Sequence, residues 1–353
     1  MKTTFSIARR PIGPGHPAYI IAEMSANHGQ DLNQALRILE AAKEAGADAV
    51  KLQTYTADTL TIDSDQEYFH IKGTAWQGRK LHDLYLEAHT PWEWQPELMA
   101  AAASLGLHCF STPFDDSAVA FLETLQPPAY KIASFEVVDL ALLRTVAATG
   151  KPVIMSTGMA TLAEIDEAVT TLRQGGCREI ALLKCTSAYP ASPATMNLRT
   201  IPHLAQAFGV VSGLSDHTLG VAAPVAAVAL GASIIEKHLT LSRQAPGPDS
   251  GFSLEPAEFK AMVAAVREAE QALGEVSYCA TAGEEASRAF RRSLFVVRDV
   301  VAGELFSHDN LRSIRPGHGL PPRFLELALG RRATVDINRG TPLAWKHIGE
   351  AVR

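Results

Sequence analysis

Five features that would point to a function class are missing from this chain. Its formal net charge is −6 over 353 residues. Without a basic footprint it has no electrostatic hold on nucleic acid. Its four cysteines (Cys109, Cys177, Cys185, Cys279) are scattered, and none forms a C-x-x-C. That excludes a disulfide framework and a thiol redox motif. No apolar run reaches the roughly 18 residues that a membrane span requires. The first strand-like run is followed by "AEMSANHGQ", which is not a G-x-G-x-x-G, and no Walker motif occurs. This argues against a doubly wound nucleotide-binding sheet. The start, "MKTTFSIARRPIG", lacks the apolar core of a signal peptide, so a soluble cytoplasmic protein is expected.

What is present is ordinary globular material, 47% hydrophobic and 20% charged, enough to bury a sizeable core. Apolar runs of strand length recur: AYIIAEM, ADAVKLQT, LHCFSTPF, AYKIAS, PVIMSTG, IALLKCTS, VVSGLSDH and ASIIEKHL. Segments of helical period lie between them, and several end on glycine as a C-terminal cap does. Eight such β units, each followed by a helix, is the count of a TIM barrel, the expected α/β fold. Residues 55–91 break the repeat with an insertion longer than a usual βα loop. In a barrel it would lie over the substrate face. After residue 274 the pattern changes. Residues 275–287 are polar and linker-like, and 288–353 show short strands between Gly, Pro and Asn turns, a second small domain.

In a barrel the active site gathers at the C-terminal ends of the strands. Polar residues stand at those ends: Glu23; Lys51 and Gln53; Thr112; Lys131 and Ser134; Ser156; Thr186 and Ser187, with Tyr189 just beyond; Ser215 and His217; Glu236 and His238. A strand period of two puts Lys51 with Gln53, Ser215 with His217, and Glu236 with His238 on common faces. Asp216 points the other way. Two lysines among hydroxyls suggest an anion, most plausibly phosphate. A lysine imine is a second possibility, with Lys184 as a third candidate. One strand-end histidine would be an ordinary loop residue. Two on adjacent strands point instead to a pair of metal ligands, which would leave most of the shell open to substrate, with two loop residues as the alternative. Such a site does not select sharply among Mn²⁺, Mg²⁺, Co²⁺ and Zn²⁺. Of the carboxylates Glu23, Glu136, Asp216, Glu236 and Asp249, Glu23 is the first candidate for acid–base work, because it ends an apolar strand.

"IAEMSANHG", "KLQTYT", "FSTPFD", "AYKIASFE", "IMSTGMA", "LKCTSAYP", "GLSDHTLG", "IEKHLT" and "PGPDSGFS" occur in the order and spacing of one family. The chain resembles the sialic acid synthase family over nearly its whole length. "SIRPGHGL" and "DINRGTPL" resemble the antifreeze-like (SAF) domain of those enzymes. Within the family it most resembles the pseudaminic acid synthases, through "AEMSANH", "QTYTADTLTIDSD" and "IKGTAWQGRKLHDLYLEAHTPWEW". The resemblance implies condensation of phosphoenolpyruvate with an open-chain amino sugar, here 2,4-diacetamido-2,4,6-trideoxy-L-altrose. The products would be a nine-carbon keto acid and phosphate. It implies that His217 and His238 hold a divalent metal, manganese first, with Mg²⁺ or Co²⁺ as alternatives. Lys51, Thr112, Lys131, Ser134, Ser156, Ser187 and Ser215 would bind phosphoenolpyruvate. Ser187 stands where some neuraminate synthases have Asn. Some of those relatives also have His in place of Lys184, which weakens the imine reading. Glu23, Gln53 and Asp249 would serve the reacting carbons, with Glu23 or Asp249 activating water. Glu136, Tyr189 and Arg315 would bind the sugar, Arg315 reaching it from the partner subunit of a domain-swapped homodimer. The alternatives are an N-acetylneuraminate or legionaminate synthase with the same chemistry, a pyruvate-dependent barrel aldolase, and a sugar-binding protein without catalysis.

Overall fold

The barrel strands are mostly buried, and below their C-terminal ends they are largely apolar on both faces. The structure is a computed structural model that describes residues 4–74 and 76–351. Ala75, inside the insertion, lies outside the described residues. A short antiparallel pair opens the chain, β1 Phe5–Ile7 and β2 Arg10–Ile12. Eight strands follow: β3 Tyr19–Glu23, β4 Ala49–Thr54, β5 His108–Pro113, β6 Tyr130–Ile132, β7 Val153–Ser156, β8 Ile180–Cys185, β9 Val211–Asp216 and β10 Ile234–His238. They pair in parallel in the order β10-β3-β4-β5-β6-β7-β8-β9 and close into a barrel. The expected TIM-type barrel is therefore present, and the open doubly wound sheet is excluded.

The helices begin where side chains satisfy their free N–H groups. Asp31 caps α1 Leu32–Glu44, and Asp115 caps α5 Asp116–Leu125. Asp139 caps α6 Leu140–Ala148, and Thr161 with Glu164 forms a capping box on α7 Leu162–Gln174. Each cap accepts from an orphan backbone donor, typically worth about 1 kcal/mol. The remaining long helices are α4 Gln95–Ser104, α8 Thr200–Phe208, α9 Ala222–Ala229 and α10 Pro256–Leu273. The insertion supplies α2 Ala57–Leu60 and α3 Leu81–Ala88, and between them His70 and Lys80 pair antiparallel.

Two apolar layers hold the barrel. Outside, Ile20, Ala22, Val50, Leu52, Leu214 and Ile235 pack against Ile38, Leu39, Phe259 and Val266 of the helices. Inside, at the N-terminal end, Tyr19, Ile21, Phe110, Ile154, Leu183 and Ile234 fill the lumen. Phe5, Ile7 and Ile12 join this inner layer, so β1 and β2 plug the barrel floor. Gly213 is required in the same layer: a Cβ there would lie 2.4 Å from the carbonyl oxygen of Ile234.

The chain divides into two compact units, Met1–Gly274 and Glu275–Arg353. The second unit carries β11 Ser293–Val296 paired with β12 Leu311–Ile314, and β13 Arg331–Ala333 paired with β14 Ile348–Ala351. Leu294, Val296, Phe306, Leu311, Ile337 and Leu343 form its core. Residues 275–287, expected as irregular linker, include a helical turn, Ala282–Glu285. A capping box between Thr281 and Glu284 starts it. Among the described residues no helix is long and apolar enough to cross a membrane.

Candidate active site

Strand parity decides which side chains reach the lumen. Tyr19, Ile21, Ala49, Phe110, Ala129, Ile154, Leu183, Val211 and Ile234 face inward at the floor. Residues at even spacing above them must face inward too. Those are Glu23, Lys51, Gln53, Thr112, Lys131, Ser156, Cys185, Ser215, Glu236 and His238. All but Thr112 line one cavity of about 400 Å³ at the C-terminal ends of the strands. A volume of this size is ordinary for a small-molecule site, roughly 300–1,000 Å³.

The cavity floor is a ring of alternating charge. Lys51 Nζ lies 2.7 Å from Glu23 and 3.5 Å from Glu236, and Lys131 Nζ lies 3.7 Å from Glu236. Lys51 also donates to Thr112 Oγ1 at 3.3 Å, and Lys131 to Ser156 Oγ at 2.7 Å. Ser215 Oγ donates to Glu236 at 3.0 Å. All four charged residues are at most 5% exposed. Burial pushes the Glu23 carboxyl up to about 7 against the pull of Lys51. Burial works against the Lys51 charge, but Glu23 and Glu236 outweigh it and hold the ammonium charged. Burial lowers Lys131. Glu236 is held below the usual carboxylate range, because Lys131 and Lys51 outweigh its burial.

The two histidines meet above this ring, their ring centroids 5.3 Å apart. His217 Nδ1 lies 3.0 Å from the Thr186 carbonyl oxygen, so it donates there and Nε2 is left for another partner. His238 Nδ1 is buried with no hydrogen-bond partner. An orphaned buried imidazole nitrogen beside a second imidazole fits a divalent cation. Behind them, on the outer face, Lys237 Nζ binds Asp216, which accepts from Thr218 N at 2.9 Å. That buried pair fixes the turn carrying His217, and Asp216 faces away from the cavity as its parity requires.

A second network ties the first and last strand loops together. Gln53 Nε2 donates to Glu23 Oε1 at 3.1 Å and to Ser25 Oγ at 2.9 Å. Ser25 Oγ in turn donates to Asp249, which also accepts from Ala26 N at 3.3 Å. Glu136 lines the cavity with its Oε2 unpartnered, and burial raises its carboxyl to about 7. Tyr189 packs on His217, centroids 4.4 Å apart. Gly158, at φ +41°, lets the chain pass Ser134: a Cβ there would lie 2.4 Å from Ser134 Cβ.

Of the residues expected at the site, Glu23, Gln53, Asp249, Lys51, Lys131, Ser134, Ser156, Ser215, Glu136, Tyr189, His217 and His238 line the one cavity. Thr112 sits beneath it on Lys51. Ser187 lies outside its lining, with its Oγ 3.7 Å from Cys185 Sγ. Arg315 follows β12 in the second unit and is exposed. The imine candidate Lys184 is a correction: its parity is opposite to Leu183 and Cys185. It bonds to the Cys185 carbonyl and Thr186 outside the cavity lining. Ser25, Trp76 and Cys185 line the cavity and were not expected. Cys185 was readable from its parity with Leu183.

A closed parallel barrel with two buried lysines and two histidines in one cavity at its C-terminal face has the architecture of a barrel enzyme site for a small molecule. The NeuB family model matches residues 38–278 and the SAF domain model residues 291–349. The chain is 47% identical over 325 residues to the pseudaminic acid synthase of Campylobacter jejuni, covering 92% of this chain and 95% of that protein. It is 46% identical over 329 residues to the pseudaminic acid synthase of Helicobacter pylori, covering 93% and 97%. Among solved structures it is similar to the spore coat polysaccharide biosynthesis protein SpsE of Bacillus subtilis, at 38% identity and a TM-score of 0.68, covering 99% of both chains. The chain belongs to the NeuB family, as its strand-end motifs implied, and carries a SAF domain.

Proposed function

We propose that this enzyme condenses phosphoenolpyruvate with 2,4-diacetamido-2,4,6-trideoxy-L-altrose, as the open aldehyde, and water, giving pseudaminic acid and phosphate. The observation that carries the chemistry is the placement of buried Lys51 and Lys131 in one cavity with His217 and His238. The choice of sugar rests on 46–47% identity to the Campylobacter and Helicobacter pseudaminic acid synthases over more than nine-tenths of the chain.

In this reading Lys51 and Lys131 hold the phosphate and carboxylate of phosphoenolpyruvate, with Ser134, Ser156 and Ser215 as hydroxyl donors and Thr112 steadying Lys51. Glu136, Tyr189 and Gln53 orient the sugar. His217 and His238 would hold a divalent cation, Mn²⁺ first and Mg²⁺ or Co²⁺ as alternatives. When bound it supplies Lewis acidity toward the aldehyde oxygen. The methylene carbon of phosphoenolpyruvate bonds to the aldehyde carbon, and water oxygen bonds to C2. Glu23 takes one water proton and returns it to the new hydroxyl. The C2–O bond breaks, and phosphate leaves with that oxygen and the second water proton. Glu23 suits the proton transfer better than Asp249. Burial brings its carboxyl to about 7, and it sits in the charged ring 2.7 Å from Lys51.

Phosphate release from phosphoenolpyruvate, measured with a panel of sugars, tests the reading. Release should require the trideoxy sugar, stop with EDTA and return with Mn²⁺. Faster release with N-acetylmannosamine would contradict it. We also place Arg315 on the sugar in the barrel of a second copy, in a cytoplasmic homodimer. Mixing Arg315→Ala with Glu23→Ala should restore part of the activity. No recovery despite subunit exchange would argue against sharing.

A further inference from the structure

The insertion that interrupts the barrel repeat has an apolar face with no partner in the barrel core. In α3, Leu81, Leu84, Tyr85 and Ala88 recur at the spacing that puts side chains on one helix face. Such a face normally packs on a hydrophobic layer. Here, among the described residues, none of the four joins the apolar layers of the barrel. All four line the cavity that holds the lysines and histidines. Ile71 and Trp76, which lie between the paired His70 and Lys80, line it as well. Backbone bonds hold this segment in shape: Ile71 N to Arg79 O and Gly78 N to Ile71 O, both 2.9 Å. The Trp76 indole N–H donates to the Pro248 carbonyl at 2.9 Å, one residue from Asp249. Its ring lies 5.4 Å from Tyr189, which packs on His217. The apolar wall is therefore latched to the reacting end of the same chamber.

We propose that Ile71, Trp76, Leu81, Leu84, Tyr85 and Ala88 form a subsite for the C6 methyl group of the sugar, and that this subsite selects deoxygenated over hydroxylated sugars. The inference rests on the reading above. The acetamide methyls are shared with a 6-hydroxy analogue, so the C6 methyl is the apolar end that distinguishes the trideoxy sugar. A hydroxyl on C6 would leave water and, apart from the Tyr85 phenol, meet carbon surface along this wall. Apolar pockets discriminate groups of this size by about 10–200-fold.

The test measures kcat/KM for two sugars, the trideoxy sugar and its 6-hydroxy analogue, in the wild type and in Ile71→Ser and Leu81→Ser. Both positions are half-buried, so a polar side chain can be accommodated. The expected result is a loss of about 10-fold or more with the trideoxy sugar and little change with the analogue. KM for phosphoenolpyruvate should stay unchanged, which also reports that the variants fold. Equal losses on both sugars, or an unchanged ratio, would overturn the subsite. A wild type that is inactive with the trideoxy sugar but active with N-acetylmannosamine would overturn the reading beneath it instead.

Discussion

The two ends of the barrel lumen are built by the same eight strands and share almost no chemistry. At the floor, Tyr19, Ile21, Phe110, Ile154 and Ile234 close on the plug residues Phe5, Ile7 and Ile12. At the mouth the same strands carry Glu23, Lys51, Lys131, Glu236 and His238. A strand rises about 3.3 Å per residue, so successive inward layers lie only about 7 Å apart. Within one or two layers the interior passes from hydrocarbon to four buried charges. The floor can be apolar because nothing must enter there. The mouth gives up that burial to hold charge ready for a ligand, a trade that lowers stability where function is made.

The sharpest break in this comparison is Phe110→Ala at the floor. A cavity left by a buried phenylalanine should cost about 3–5 kcal/mol of unfolding free energy by denaturant titration. The fraction that remains folded should keep its kcat. Next is Lys131→Met at the mouth. Losing one preorganised cation should lower kcat/KM for phosphoenolpyruvate by about 10²–10³-fold. The thermal midpoint should move little, because Glu236 keeps Lys51 at 3.5 Å. A large activity loss at the floor with no stability loss would reverse the assignment of the two ends.

The smallest effect is a pH dependence. The folded Glu136 carboxyl lies near 7, above its ordinary value of 4.5. Between those values the native state binds the extra proton, so Glu136 makes stability fall as pH rises from about 4.5 to 7. Glu136→Gln should remove that slope. The gap in unfolding free energy between variant and wild type should change by up to about 3 kcal/mol from pH 4.5 to 8. A gap constant with pH would mean that the carboxyl is not buried in the charged form.

Much of the mouth was legible because a period of two survives from strand to strand. The run "ASIIEKHL" places Glu236 and His238 above Ile234, and "AYKIAS" places Lys131 above Ala129. Other features were not legible. The floor plug consists of two three-residue strands, too short to show alternation. The bond between Ser25 and Asp249 joins residues 224 positions apart. Only barrel closure, which sets β10 beside β3, brings them together. Trp76 reads as one more loop aromatic until its indole is seen on Pro248. The turn Ala282–Glu285 hid in a polar stretch although its capping box, Thr281 and Glu284, was written there.

The central claim is that the charged mouth carries out addition of carbon and water to phosphoenolpyruvate with loss of phosphate. It is tested most directly by phosphoenolpyruvate labelled with ¹⁸O in the bridge between C2 and phosphorus, incubated with the trideoxy sugar. The account predicts that all released phosphate carries the label, because the C2–O bond breaks. Unlabelled phosphate, with the label kept in the sugar acid, would show cleavage at phosphorus and contradict it.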